Sequence, residues 1–210
     1  MTPSFLYKIA APAIYAHAEV MVDLWREKTR IADGRPWAGS YDVNSVALDA
    51  AMAFAFGEGF RHSMTGPNLE AIRALGDGEI ERMRGADMDE AVVFPKGETN
   101  EFVKATLVLA KTPGEVQGNP FPRATWMWVN CKPGIRKATR VKEEWIGREL
   151  KGSVGRMMRG KEGVGSAVDH MVRRERELAG KDGRVPEYFS RVMKDEVGFL
   201  AHPFLVFFGC

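Results

Sequence analysis

The chain has 210 residues, 45% hydrophobic and 28% charged, a balance that suits one folded domain with a real core and argues against a disordered or fibrous polymer. A formal net charge of +2 gives no sign of a nucleic-acid or acidic partner for the molecule as a whole, although the charge is unevenly spread. Two cysteines, Cys131 and Cys210, form neither a disulfide framework nor a zinc pattern and suit a reducing compartment.

Residues 1–13 hold one lysine and two prolines without a clear apolar core, so no secretory signal is expected there. A first helix is predicted over residues 12–32, with Ile14, Ala18, Met21 and Trp25 on one stripe and Gly34 and Pro36 as stops. After a turn at Arg35, Pro36 and Trp37 comes the run DVNSVALDAAMAFAF, residues 42–56, around which the chain is organised. Asp42 is the expected N-cap. Val43, Val46, Ala47, Ala50 and Phe54 repeat at three and four residues, and Gly57 offers a left-handed C-cap. Leu48, Met52 and Ala55 fall on the opposite face, so this helix is expected to need neighbours on every side. Between residues 57 and 97 the signals weaken to one helix over 68–84, broken near Gly76 and Gly78.

Asn100 opens a helix carrying Phe102, Val103, Thr106 and Leu107, which Pro113 and Gly114 are expected to end. Residues 118–122, followed by Trp126 and Trp128, read as a proline-rich aromatic loop. Pro133 and Gly134 lead into a long basic helix over 135–158, where ten Lys or Arg between residues 132 and 161 interleave with Glu143, Glu144 and Glu149. Ser166 is the predicted cap of a helix to Ala179, residues 181–186 form a turn, and a last helix from Pro186 carries Tyr188, Phe189, Val192, Met193, Val197 and Leu200. The most apolar stretch, residues 197–210, is shorter than the about 20 residues that a spanning helix needs, and it contains His202 and Pro203. Strand-like alternation is almost absent and no repeat is visible, so the fold class is all-α.

Few residues invite chemistry. Gly160, Gly163 and Gly165 precede a helix whose amides could hold an anion, but the spacing fits neither the dinucleotide nor the Walker pattern, and a plain linker is expected. The basic helix, with Trp126, Trp128 and Trp145 nearby, could lie on nucleic acid or an anionic membrane; its interleaved glutamates and core-directed Ile135, Val141 and Trp145 favour a solvated face. His17, His62, His170 and His202 are scattered without metal-ligand spacing. Asp195 and Glu196 are adjacent, so they point to different sides of a helix, a poor geometry for an acid and base pair. Cys210 follows Phe207, Phe208 and Gly209, which brings a haem-thiolate ligand to mind, but no sequence follows to shield its sulfur.

The order of segments carries a resemblance. MTPSFLYKIAAPAIY, LWREKTRIADGRPW and DVNSVALDAAMAFAFG resemble the stretch of fungal cytochrome P450 enzymes from the end of helix C through helices D and E. MDEAVVFPKG and EFVKATLVLAK are similar to the approach to helix F and helix F itself, EVQGNPFPRATWMW to the loop after it, and GIRKATRVKEEWIGREL to helix G. SAVDHMVRRERELAGKDGRVPEYFSRVMKDEVGFLA is similar to helix H and the first turns of helix I. The likeness covers nearly the whole chain to Ala201. There the family's acid and threonine pair after Ala-Gly is replaced by HPFLVFFGC.

The resemblance implies an all-α, partial cytochrome P450 fold with orthogonal helix packing, in a domain over residues 1–201 with a divergent tail over 202–210. It implies a fragment of a haem- and iron-dependent monooxygenase that inserts one oxygen atom into an organic substrate with electrons from a reductase. The Trp and Arg that hold a haem propionate would precede Met1, and the Glu-x-x-Arg motif and cysteine loop would follow Cys210, as if the reading frame were truncated. No catalytic, haem-binding or metal residue is therefore carried over, and the chain alone is expected to be inactive and not to bind haem. Relatives are usually anchored in the endoplasmic reticulum; this chain, without the anchor, reads as cytosolic, and helices that bury a face against absent parts predict exposed apolar surface and self-association. The alternative is a helical binding module using residues 135–158 on an anionic membrane or RNA, which charge reversal at Arg136, Lys137 and Arg140 would disable.

Overall fold

The computed structural model describes residues 6–57, 60, 62–160 and 165–200. Helices occupy Ala11–Ala32 (α1), Ser40–Phe56 (α2), Thr65–Arg73 (α3), Asp77–Arg84 (α4), Glu101–Ala110 (α5), Thr112–Val116 (α6), Pro122–Cys131 (α7), Pro133–Met158 (α8), Ala167–Asp182 (α9) and Arg191–Leu200 (α10). No strand occurs among the described residues, where extended pairing is limited to an isolated bridge between Trp37 and Val92, so the all-α expectation is met. The chain forms two compact units, Met1–Ala53 with Phe60–Asn100, and Phe54–Gly59 with Glu101–Cys210.

In the first unit, α1 packs on α3 through Leu24, Ile31, Leu69 and Ile72. Ile14 of the expected stripe is exposed, and the buried positions on α1 are Leu24, Lys28, Ile31 and Ala32. Asp33, left-handed at φ 52°, ends α1, and Arg84 at the end of α4 closes its last turn, donating from Nε to the Ile31 carbonyl at 2.7 Å. The stretch predicted as one broken helix over 68–84 is two helices. Gly76 starts the second by donating its N–H to the Glu79 carboxylate at 3.1 Å.

The face of α2 differs from expectation. Val43 is 47% exposed, whereas Asp42, Ser45, Leu48, Asp49 and Met52 are buried. Asp42 lies inside the first turn and caps nothing. The step of seven positions from Asp42 to Asp49 is nearly two whole turns, so both carboxylates share one face. Each has internal partners, which is what lets that face be the buried one. Asp49 caps α3 from outside it, accepting from Ser63 Oγ at 2.7 Å and from the backbone N–H groups of Met64 and Thr65 at 2.7 and 2.8 Å.

The second unit is built along α8, against which α5, α7, α9 and α10 pack. Its centre is an aromatic trio: Phe102 stacks on Trp145 at 4.1 Å between ring centres, and Phe56 meets both rings edge-on. Val116, Val129 and Ile135 make a second cluster with Leu109 beside it. Gly57, at φ +88°, lies so close to residue 165 that a Cβ would stand 2.8 Å from the Gly165 carbonyl oxygen. Ser166 caps α9 as predicted, its Oγ accepting from Asp169 N–H at 3.1 Å.

α9 runs to Asp182, three residues past the expected end at Ala179, and three other boundaries depart from the sequence reading for local reasons. Pro122 opens α7, because a proline at the first helical position loses no hydrogen bond, so Trp126 and Trp128 stand on a helix and not in a loop. Pro113 likewise sits in the first turn of α6 and does not end the preceding structure. The last helix starts at Arg191, with Ser190 Oγ accepting from Met193 N–H at 3.2 Å, and Tyr188 and Phe189 precede it.

Candidate functional site

The second unit holds a cleft of about 630 Å³ bounded by α5, α6, α7, α8 and α10. On α8, Ile135, Thr139, Lys142 and Ile146 recur at three and four residues and so present one continuous wall. On α10, Arg191, Lys194, Asp195 and Gly198 do the same. Leu109 and Trp126 add apolar surface, and Glu143 and Asp195 are the cleft's carboxylates.

Lys142 is the unusual group in this cleft. Its stem is half-buried and its amine rests against α10 where residue 198 has no side chain: a Cβ there would lie 3.2 Å from Nζ and 3.3 Å from Cε. Among the described residues, no hydrogen bond or ion pair engages the amine. Burial pushes its pKa below the ordinary lysine value, with Asp195 and Glu143 pulling the other way. Asp195 is itself shared with Arg191, at 3.8 Å on an exposed surface.

The first unit contains a charged cluster of another kind. Lys28 Nζ donates to both carboxylate oxygens of Asp42 at 2.7 Å, and both side chains are buried. The same Nζ lies 5.2 Å from the ring centres of Trp37 and of Phe94, and Trp25 Nε1 donates to Asp42 at 3.2 Å. This is a closed arrangement in which charge, aromatic faces and indole satisfy one another. Sequence reasoning missed it; the available signal was a lysine on the same stripe of α1 as Leu24 and Ile31.

At the start of α9 the anion position is taken by the protein's own Asp169, which accepts from Ser153 Oγ at 2.6 Å, Arg156 Nη2 at 2.8 Å and Gly165 N–H at 3.3 Å. Gly160 is left-handed at φ +70°, and Gly163 lies outside the described residues. On α8, Arg136 and Arg140 are exposed and Lys137 pairs with Glu101 at 3.6 Å. Trp145 belongs to the core, Trp126 to the cleft, and Trp128 is 63% exposed with Lys132 over its ring at 4.1 Å. His17 is half-buried on α1, His62 meets Phe60 edge-on at 5.5 Å, and His170 is exposed on α9. No group of metal-ligating side chains forms among the described residues. Asp195 faces the cleft and Glu196 a smaller depression, so the adjacent pair is split as expected. Cys131 is exposed at the end of α7; His202 and Cys210 lie outside the described residues. No described helix is long and apolar enough to cross a membrane.

Comparison with known proteins gives a consistent answer. No family model matches the chain, and no solved structure matches it. Among curated proteins it is 32% identical over 203 residues to the cytochrome P450 monooxygenase TRI13 of Fusarium sporotrichioides, across 94% of this chain and 34% of that protein. It is 28% identical over 199 residues to the cytochrome P450 monooxygenase xilC of Penicillium rubens, and 25% identical over 203 residues to the cytochrome P450 monooxygenase GME11363 of Pestalotiopsis microspora. In each case the chain spans about a third of the relative's length. The chain therefore belongs to the cytochrome P450 family and corresponds to about a third of the length of these relatives.

Proposed function

We propose that this chain forms the layer of a cytochrome P450 monooxygenase that covers the substrate side of the haem, made of helices D to H and the first turns of I in the family's lettering. The observation that carries this is a likeness to TRI13 that runs over 94% of the chain while using only 34% of that protein. In this reading α5 and α8 take the places of helices F and G, α9 that of H, and α10 the beginning of I. The family reaction inserts one oxygen atom into a small organic substrate, with electrons from a reductase, and the bound haem supplies the oxygen chemistry.

The residues described here do not fit a haem. A haem-thiolate site needs a sheltered sulfur facing an apolar slot, whereas Cys131 is exposed at a helix end and does not line the cleft, whose walls carry Lys142, Glu143, Arg191 and Asp195. What these residues contribute is shape: a helical cover, with α8 as its spine. Phe121, Met127 and Trp128, exposed at 71%, 73% and 63%, place a patch of large apolar groups on and before α7, and such a patch drives association when nothing covers it.

The test is spectroscopic. The purified chain, mixed with haem, reduced and exposed to carbon monoxide, gives no thiolate-type Soret shift. A stoichiometric shift that disappears in Cys210→Ser would overturn this reading. Sedimentation is expected to show concentration-dependent association that weakens in Met127→Ser with Trp128→Ser; a strict monomer at all concentrations would remove self-association from the proposal.

A further inference from the structure

We propose that Lys142 is a carbonyl-capturing site: its amine forms an imine with an aldehyde that carries an apolar chain of medium length, held in the cleft between α8 and α10. The inference does not rest on the family reading. It rests on three features found together. The amine has no hydrogen bond or ion pair among the described residues, although another inward lysine, Lys28, is fully engaged by Asp42. It is set against the backbone of α10 at Gly198, inside a cleft of about 630 Å³. Leu109, Trp126, Ile135 and Ile146 offer that cleft an apolar lining able to hold an alkyl chain.

The chemistry balances without an oxidant or reductant. The Nζ lone pair adds to the carbonyl carbon, the carbonyl oxygen takes up a proton, and the resulting carbinolamine loses water to give the C=N bond. Asp195 and Glu143 line the same cleft and can return the proton that the departing water needs. The charges that bear on the amine are Glu143 from its own helix and Asp195 from α10, while Arg191 and Lys194 of α10 line the same cleft. Burial, which disfavours the ammonium form, keeps a larger share of Lys142 unprotonated at neutral pH than of a lysine in water. Lys104 and Lys181, exposed in the same unit and outside the cleft's lining, serve as internal references.

The experiment treats the full chain with nonanal and cyanoborohydride at neutral pH and locates the reduced adducts by peptide mass spectrometry. Lys142 is expected to be labelled several-fold faster than Lys104 and Lys181. With glyoxylate, which has no apolar chain, that preference is expected to vanish. Lys142→Arg is expected to remove the fast adduct while circular dichroism stays unchanged. Should that variant misfold, protection of Lys142 by nonanol in the unaltered chain makes the same test. Equal labelling of the three lysines by nonanal, an unchanged preference with glyoxylate, or no protection by nonanol would each overturn the proposal.

Discussion

Replacing Lys28 with methionine should be among the most damaging single changes in the first unit. The lysine ammonium and the Asp42 carboxylate are buried together at 2.7 Å, so Lys28→Met leaves a carboxylate in the interior with only the Trp25 indole as donor. Removing one member of a buried pair costs about 3–5 kcal/mol, chiefly because the other charge is left uncompensated. Asp42→Asn should cost less. It strands the cation, but the faces of Trp37 and Phe94, each 5.2 Å away, still attract it, and a desolvated cation–π contact contributes up to about 2 kcal/mol. The double change Lys28→Met with Asp42→Leu removes both charges and should recover most of the loss. Urea unfolding followed by tryptophan fluorescence suits the question, since Trp25 and Trp37 sit at the pair. With a slope of about 2 kcal/mol per molar urea, Lys28→Met should move the midpoint by about 2 M. A shift below about 0.5 M, or a larger loss for Asp42→Asn than for Lys28→Met, would refute the argument.

Asp49→Ala strips the acceptor from the buried N–H groups of Met64 and Thr65 and should destabilise the first unit by about 3 kcal/mol, with Asp49→Asn intermediate; thermal melts compare the three. Glu175 is held down to about 2 by hydrogen bonds from Arg184 and from the Glu187 N–H, against an ordinary value of 4.5. Because the folded state binds this proton less readily than the unfolded one, its contribution is complete above about pH 4.5 and is lost as pH falls toward 2; Glu175→Gln should flatten that part of the stability profile and leave the rest parallel. Gly57→Ala, which needs a left-handed residue and brings a Cβ to 2.8 Å from the Gly165 oxygen, should cost about 2 kcal/mol. Gly147→Ala, in the interior of α8 with nothing within 4 Å of its Cβ, should instead gain about 0.5–1 kcal/mol.

What could be read from the sequence follows the kind of signal involved. The ends of α1 and α8 and the start of α9 were legible because proline in a first turn, a serine cap and left-handed glycines act within a few residues. The buried face of α2 was not. Asp42 and Asp49 look like a cap and a solvated charge until Lys28, fourteen residues before the first, and Ser63 to Thr65, as far beyond the second, are brought to them by the fold. The helix carrying Trp126 and Trp128 was hidden because proline and aromatic residues suggest a loop, while Pro122 opens a helix. Lys142 was visible only as one charge among ten on a basic segment; its enclosure needs α10, more than fifty residues later, to lay Gly198 against it.

The central proposal is that this polypeptide is the substrate-side portion of a longer cytochrome P450. Sequencing the natural transcript through the codon for Ala201 tests it most directly. The account predicts a reading frame that continues into an Ala-Gly-x-Asp-Thr sequence and on to a cysteine loop. A transcript with a stop codon directly after Cys210 would contradict it.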